Sequence, residues 1–324
     1  MKPTAPFRNA FSVFATTPCR GLSWFGHDAI IAFSRFVAAR LLARSIKTIW
    51  FFGRFWLTSR LSRICLIAIS LLFASTLGAS VQGDAMGRRA VLYAASGTFG
   101  VQGILYTLDP ATGAVLTTVG PLNDAAGNNY GITGLKYHPA TGIFYGATGH
   151  QSPTNPNYLV IVDPATALVT PIGALGAVLT DIAIDPTTGI MYGESEFNQN
   201  FYTINTTTGQ AVQTGSTGIG FANGGGFAAD MTGALFGVSN FSFYSFNKTT
   251  GMATLIGPTG LGNLVKAADF NPSNVLYGLE GGGGSDNAHL RFLVTFNVTT
   301  GMGTRVGQIT ANDLGALAFI PVRR

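Results

Sequence analysis

The sequence of 324 residues contains little cysteine and little charge, and each shortage excludes a class of function. Its two cysteines, Cys19 and Cys65, both precede Gly83. The chain after Gly83 therefore has no disulfide, no thiolate nucleophile and no cysteine ligand for a metal. It also lacks a Gly-x-Ser-x-Gly motif, which removes the usual serine nucleophile of the α/β-hydrolases.

Only 10% of the residues are charged, and the charge is unevenly distributed along the chain. Met1–Gly83 contains ten Lys/Arg and one Asp, a net charge of +9. Asp84–Arg324 contains nine Lys/Arg and thirteen Asp/Glu, a net charge of −4. A nucleic-acid-binding surface needs clustered cations that displace phosphate counterions. The acidic C-terminal part does not have them, so we expect no nucleic-acid partner.

Residues 59–85 have the organisation of a signal peptide. Arg60 and Arg63 precede an apolar run, Ile64–Leu77, and small residues follow it, as signal peptidase requires. We expect cleavage between Ala79 and Ala85, and therefore a secreted or periplasmic protein. The alternative is an uncleaved membrane anchor, although the apolar run is short for a bilayer span.

Residues 1–58 form a basic N-terminal extension that has two interpretations. Ala32–Arg60 is rich in aromatic, aliphatic and basic residues, and such a segment could lie as an amphipathic helix on a membrane surface. Alternatively, the start of translation is assigned too far upstream, although the chain has no methionine between Met1 and Met86. Neither interpretation predicts a packed fold, and membrane contact is expected only through this uncleaved N-terminal part.

From about Arg89 onward, a short box with Asp or Asn at its start and Gly at its end recurs in two interleaved series. The first series consists of stretches such as "LYTLDPATG", and its anchor residues are Asp109, Asp163, Asn205, Asn247 and Asn297. The second series consists of stretches such as "GLKYHPATGIFYG", and its anchors are His138, Asp185, Asp230 and Asn271. Ile320 occupies the anchor position of a fifth half-copy near the C-terminus.

Each box has the chemistry of a hairpin turn. Asp or Asn bonds the backbone two residues on, Pro pre-sets φ, and the final Gly supplies the left-handed conformation. The flanking residues alternate with period two and are rich in aromatic and β-branched types, which predicts strands. A box offers at most one carboxylate, whereas calcium takes six to eight oxygens. We therefore expect no metal and no cofactor at the boxes.

We predict an all-β fold for residues 86–324, a five-bladed β-propeller of four-stranded blades. Two hairpins in 42 to 54 residues are the size of one blade. Ala90–Gly97 is predicted to be the second strand of a blade whose first strand does not precede it, and Leu314–Pro321 the first strand of a blade whose second strand does not follow it. Pairing of these two strands would close the ring and leave no open sheet edge. A solenoid of stacked hairpins is the alternative, and the complementary ends argue against it. Small residues precede the second-series anchors, as crowded inner strands require: Gly134, Ala183, Gly226, Ala228, Ala267, Ala316 and Ala318.

These repeats resemble those of secreted bacterial β-propellers of the YVTN/NHL-like kind, above all uncharacterised families whose repeats read "LYTIDPATG…LVG" and "GIDFxPATGxLYG". The likeness covers about Ala90 to Ile320 and rests on turn and core residues. It implies a propeller that is secreted or associated with the cell envelope. Related propellers include lactonases and lyases, but no residues here match their catalytic motifs, so no site is carried over.

In such a propeller all the boxes lie on one face, and longer polar loops lie on the other, where we expect any site. Glu194 and Glu196 could act as an acid/base pair or bind a cation; the plain alternative for every loop residue is solvent-exposed polarity. The ligand-binding candidates on these loops are Asn129, Tyr130, His150, Glu194, Glu196, Asn223, Glu280, Asp286 and His289.

A second group of charged residues falls on the inner strands and is expected to line the central channel: Lys136, Asp181, Lys266 and Asp269. They would form either an ion pair that compensates its own burial or a ligand site at the channel mouth. No catalytic residue is assigned.

The pattern favours a monomeric binding module that recognises a glycan, a peptide or an envelope protein through the loop-rich face. The alternative is an enzyme of the lactonase or lyase type on the same face. Exposed aromatic rings on one platform, from Tyr130, Phe197 and Phe221, would favour a glycan. Convergence of His150 and His289 with Glu194 and Glu280 would favour the enzyme.

Overall fold

The computed structural model describes residues 89–221, 224–281 and 290–322. The interpretations of residues 1–58 and of the signal peptide at 59–85 lie outside these ranges and stay predictions. Within them, the helical structure is one 3₁₀ turn, Thr98–Gly100. No helix in the described ranges is long and apolar enough to cross a bilayer.

The described chain forms twenty strands in five antiparallel four-stranded sheets, which we call blades 1 to 5. Blade 1 contains β1 (Ala90–Ser96), β2 (Ile104–Leu108), β3 (Val115–Pro121) and β20 (Leu314–Pro321). Blade 2 contains β4 (Ile132–Tyr137), β5 (Phe144–Thr148), β6 (Tyr158–Val162) and β7 (Val169–Ala174). Blade 3 contains β8 (Leu179–Ile184), β9 (Met191–Ser195), β10 (Asn200–Ile204) and β11 (Ala211–Ser216). Blade 4 contains β12 (Gly226–Ala229), β13 (Leu235–Ser239), β14 (Ser242–Phe246) and β15 (Ala253–Pro258), and blade 5 contains β16 (Val265–Phe270), β17 (Leu276–Glu280), β18 (Arg291–Phe296) and β19 (Gly303–Ile309).

The blades form a closed ring, and the predicted five-bladed propeller is confirmed. The inner strands β4, β8, β12, β16 and β20 contact one another in that circular order. Blade 1 is completed by the two ends of the described chain, because β20 pairs antiparallel with β1, with Phe319 opposite Leu92. The backbone N–H of Val322 donates to the carbonyl of Arg89 at 2.7 Å, so the two ends lie side by side.

The hydrophobic core is divided among the spaces between the blades. Five clusters of buried residues are present, and each joins the facing sides of two neighbouring blades. Between blades 3 and 4, for example, Phe201 stacks on Tyr192 and meets Phe227 edge-on. The inner strands of the sheets are therefore covered on both faces, and strands such as β5 and β8 are buried at every position.

The nine boxes form the expected hairpin turns. In the first, the backbone N–H of Ala111 donates to Oδ1 of Asp109 at 2.9 Å, and the N–H of Gly113 donates to the Asp109 carbonyl at 2.8 Å. Gly113 has φ +78°, the left-handed conformation that glycine adopts without strain. The boxes and both ends of the described chain lie on one face, called here the turn face, and the opposite face is called the loop face.

The outer turns also pack against the preceding blade. The carbonyl of Thr250, in the box of blade 4, accepts a hydrogen bond from the N–H of Ser216 in β11 of blade 3 at 3.1 Å. A Cβ added to the neighbouring Gly215 would overlap this carbonyl. Gly173, Gly257 and Gly307 face the carbonyls of Thr208, Thr300 and Thr112 in the same way. The glycine of the outer strand thus lets the next blade approach.

This contact can be tested with two glycines that both lack a left-handed backbone. Gly215→Ala forces a methyl group against the backbone of blade 4 and should lower the free energy of unfolding by about 1–3 kcal/mol. Gly220 has open space around its Cα, so Gly220→Ala should change that free energy by less than about 0.5 kcal/mol. Guanidinium unfolding followed by circular dichroism measures both, and equal effects would contradict the proposed packing.

Candidate functional site

A cavity of about 470 Å³ opens on the loop face at the propeller axis, and we call it the axial cavity. Blades 1, 2, 3 and 5 with their connections contribute to it, and Gly224 contributes from the connection that precedes blade 4. Its volume lies within the range of small-molecule binding sites. The inner strands supply Thr133, Thr180, Lys266 and Gly315, and the loops supply, among others, Thr98, His150, Glu196 and Phe197.

The inner strands reach the cavity through a repeated irregularity in their pairing. The register shifts between Ile132 and Gly134 in β4, between Leu179 and Ile182 in β8, between Val265 and Ala268 in β16, and beside Gly315 in β20. Such bulges re-aim one side chain out of the regular pleat and are common at the rims of closed sheets. Here they bracket the positions that line the cavity: Thr133, Thr180, Lys266 and Gly315.

A histidine that is hydrogen-bonded to a carboxylate stands on the side of the cavity formed by blades 2 and 3. Nδ1 of His150 lies 3.1 Å from Oε2 of Glu196, and because a carboxylate can only accept, Nδ1 carries the hydrogen. The imidazole also meets the ring of Phe197 nearly edge-on, with centroids 5.2 Å apart. Within the described ranges no residue hydrogen-bonds His150 Nε2.

Two cations stand on the opposite side. Lys266 lines the cavity and is 8% exposed. Burial, together with the positive charge of Arg291, lowers the pKa of Lys266 to about 8, while Glu196 opposes this shift. Arg291 is fully buried, donates to the carbonyl of Leu314 at 2.7 Å and contacts Oγ1 of Thr98 at 3.4 Å. The cavity therefore has an acidic side and a basic side.

Below the cavity, charged groups connect the inner strands. Lys136 Nζ lies 3.2 Å from Oδ1 of Asp181, and both side chains are buried. Oδ2 of Asp181 accepts from the N–H of Phe227 at 3.1 Å and from that of Ala268 at 3.3 Å. Asp269 accepts from the N–H of Phe319 at 2.8 Å. Desolvation raises the pKa of Asp181 to about 7 and that of Asp269 to about 6, although Lys136 lowers both.

Glu194 differs from its neighbour Glu196. It is fully buried in β9, and neither of its carboxyl oxygens has a hydrogen-bond partner. Burial and the nearby Asp181 raise its pKa well above the usual range. Only Glu196 reaches the cavity. In the part of the chain that the structure describes, no three His, Cys, Asp or Glu side chains are grouped to hold a metal ion.

Two of the loop candidates are engaged in hydrogen bonds that hold loops in place. The side chain of Asn129 accepts from the N–H of Gly103 at 2.7 Å and donates to its carbonyl at 2.9 Å. The hydroxyl of Tyr130 donates to Asp124 at 3.0 Å, and its ring is 1% exposed. Both residues hold the loop between β3 and β4 in place, and neither lines the axial cavity.

Glu280 and Phe221 are also engaged in packing. Glu280 is buried and forms a two-point ion pair with Arg305 at 2.6 and 2.7 Å. Phe221 is fully buried between blades 3 and 4. The aromatic platform of Tyr130, Phe197 and Phe221 is therefore not formed, because only Phe197 is exposed. The remaining candidates lie outside the described residues: Asn223, Asp286 and His289.

The structure brings together residues from both predicted groups, His150 and Glu196 from the loops and Lys266 from the inner strands. The sequence analysis missed the hydroxyls of Thr98, Thr133 and Thr180. A signal for two of them was present in the repeat register. Thr133, Thr180, Lys266 and Gly315 all stand five residues before the anchor of their inner strand.

No family model matches this sequence, and no curated protein matches it. Solved structures with a similar fold include a chain of a nidogen/laminin complex, with 11% identity and a TM-score of 0.47 over 71% of this chain and 97% of that one. A Bacteroides thetaiotaomicron protein of unknown function has 14% identity and a TM-score of 0.44 over 68% of this chain and 58% of that one. Kuenenia stuttgartiensis hydrazine synthase has 12% identity and a TM-score of 0.38 over 56% of this chain and 49% of that one. Likenesses at this level carry no argument about function.

The buried charges predict how stability depends on pH. A carboxyl whose pKa is raised by folding stabilises the fold below its unfolded pKa, near 4, and loses this contribution as the pH rises through the folded value. Lys136→Met removes the cation that faces Asp181 and Asp269. It should lower the free energy of unfolding by about 3–5 kcal/mol at pH 8, and by less at pH 5, where both carboxyls take up protons.

Lys248→Met is the matched control on the turn face. Lys248 contacts buried Asp185 at 2.6 Å. Burial raises the pKa of Asp185, but hydrogen bonds from Lys248 and Thr187 outweigh it and lower the pKa to about 2. Asp185 is therefore ionised at both pH 5 and pH 8, and the loss should be equal at the two values. Urea unfolding at each pH measures both variants, and a pH-independent loss in Lys136→Met would refute the assignment.

Proposed function

We propose that this protein is an exported binding module that holds a ligand in the axial cavity of its loop face. One observation carries the proposal. Residues of four blades, together with Gly224 in the connection that precedes blade 4, surround one cavity of about 470 Å³ on the loop face. Bulges in four inner strands bracket lining positions of this cavity, so the rigid strands of the ring fix part of the site while loops supply the rest.

The chemistry of the cavity favours a polar ligand. Glu196 with His150 on one side and Lys266 on the other can bind groups of opposite polarity, and threonine hydroxyls lie between them. Oγ1 of Thr133 and Oγ1 of Thr180 are buried and have no hydrogen-bond partner. A buried polar atom without a partner costs free energy, so a ligand that supplies hydrogen bonds to these two atoms gains from binding here.

A second candidate function is catalysis at the same cavity, by a lactonase- or lyase-type enzyme. The observation that favours it is the His150–Glu196 pair beside Lys266, since a histidine oriented by a carboxylate is a common general base. Turnover of lactones or uronate esters that falls in His150→Gln with the fold intact would support this candidate. Ligand binding without turnover favours the binding module.

Export makes a separate prediction about the N-terminus. The organisation of residues 59–85 predicts cleavage, so the protein recovered from the periplasm or the medium should begin between Ser80 and Met86. Mass spectrometry of the intact protein measures this. Recovery of the chain with its N-terminal segment intact in the membrane fraction would contradict cleavage and support the anchored alternative.

The binding proposal is tested by a thermal-shift screen of small polar molecules against the exported protein. A molecule that raises the melting temperature should bind about tenfold or more weakly to Glu196→Gln, which loses a charge-assisted hydrogen bond. Lys266→Met should weaken an anionic ligand to a similar extent. Asp163→Asn, in an exposed box of the turn face, is the control and should leave the affinity unchanged. Ligands that bind all three variants alike would place the site elsewhere.

A further inference from the structure

A second cavity adjoins the first on the loop face. It has a volume of about 450 Å³ and lies between blades 2 and 3, and we call it the side cavity. Its walls include Pro156, Asn157, Ser195 and Tyr202. Phe197 lines both the axial cavity and the side cavity, so the two lie on either side of this residue.

The side chain of Phe197 is exposed, and a neighbouring side chain supports its ring. Its side chain is 66% exposed, the largest exposed fraction among the aromatic residues in the described part of the chain. Its ring packs against the edge-on imidazole of His150, which hydrogen-bonds Glu196. A ring that is supported in this way loses little conformational entropy when a ligand covers it. The chain therefore maintains an apolar platform between the axial cavity and the side cavity.

Both cavities contain polar atoms that lack partners. In the side cavity, Oδ1 of Asn157 is buried without a hydrogen-bond partner, as are Oγ1 of Thr133 and Oγ1 of Thr180 in the axial cavity. The amide oxygen needs a donor, and the hydroxyls can both donate and accept. A ligand hydroxyl satisfies either kind of atom because it also donates and accepts.

We propose, resting on the proposed function, that the ligand is an oligosaccharide chain that occupies the axial and side cavities and crosses the Phe197 ring. Repeated hydroxyls match the unpartnered hydroxyl and amide atoms at both ends. The apolar face of a sugar ring matches the aromatic platform between them. A peptide fits less well, since extended peptides add to a free strand edge. The side cavity touches the outer strand β7 only at its last residue, Ala174.

The test uses the exported protein on an array of defined oligosaccharides of two to six units, with an array of unmodified decapeptides in parallel. At least one oligosaccharide should bind, and its longest form should bind about tenfold more tightly than the two-unit form, because only the longer chain fills both cavities. Phe197→Ala should weaken the longest form about tenfold, as loss of a central aromatic contact does, and Phe197→Tyr should retain most of the affinity.

Phe241→Ala is the matched control, because Phe241 is 48% exposed on the loop face and lines neither cavity. It should bind as the unsubstituted protein does. Capture of peptides but no oligosaccharide, equal affinity for all chain lengths, or an unchanged Phe197→Ala variant each overturns the oligosaccharide. If one of these results is obtained but a small ligand binds more weakly to Glu196→Gln, the proposed binding site in the axial cavity is retained and only the oligosaccharide is rejected. If oligosaccharides bind independently of both Phe197 and Glu196, both proposals fall.

Discussion

The ring depends on carboxylates that bridge inner strands which have no common hydrogen-bond ladder. Neighbouring inner strands belong to different sheets, so each backbone N–H turned toward the axis needs an acceptor from another blade. Asp181 of blade 3 accepts from blades 4 and 5, and Asp269 of blade 5 accepts from blade 1. Lys136 of blade 2 supplies the positive charge that makes two buried carboxyls tolerable. These contacts link all five blades through one small cluster.

The same inner strands perform two tasks at different positions along their length. The residues two and four before the anchor, such as Asp269 and Asp181, hold the blades together. The residue five before the anchor lies at a bulge and lines the axial cavity, as Thr180 and Lys266 do. Changes at this position leave the bridging carboxylates in place, so the lining can vary while the ring stays closed.

The fold was predictable because its signals are local, whereas the site was predictable only in part. A turn residue beside an alternating strand is read from a few neighbours, and nine boxes were enough to count the blades. The fates of Asn129 and Glu280 depended on partners distant in the chain, namely Gly103 and Arg305. The recurring bulge is a property of strand pairing, which the sequence does not display directly. Its one signal in the sequence is that Thr133 and Thr180 both stand five residues before the anchor of their strand.

The adjacency of Arg89 and Val322 distinguishes the two faces of the propeller. Both ends of the described chain leave from the turn face, and the axial and side cavities open on the other. A surface, bead or fused domain that is joined through either end is therefore attached on the turn face. The cavities then point toward the surrounding fluid, and a long chain can enter them without approaching the point of attachment.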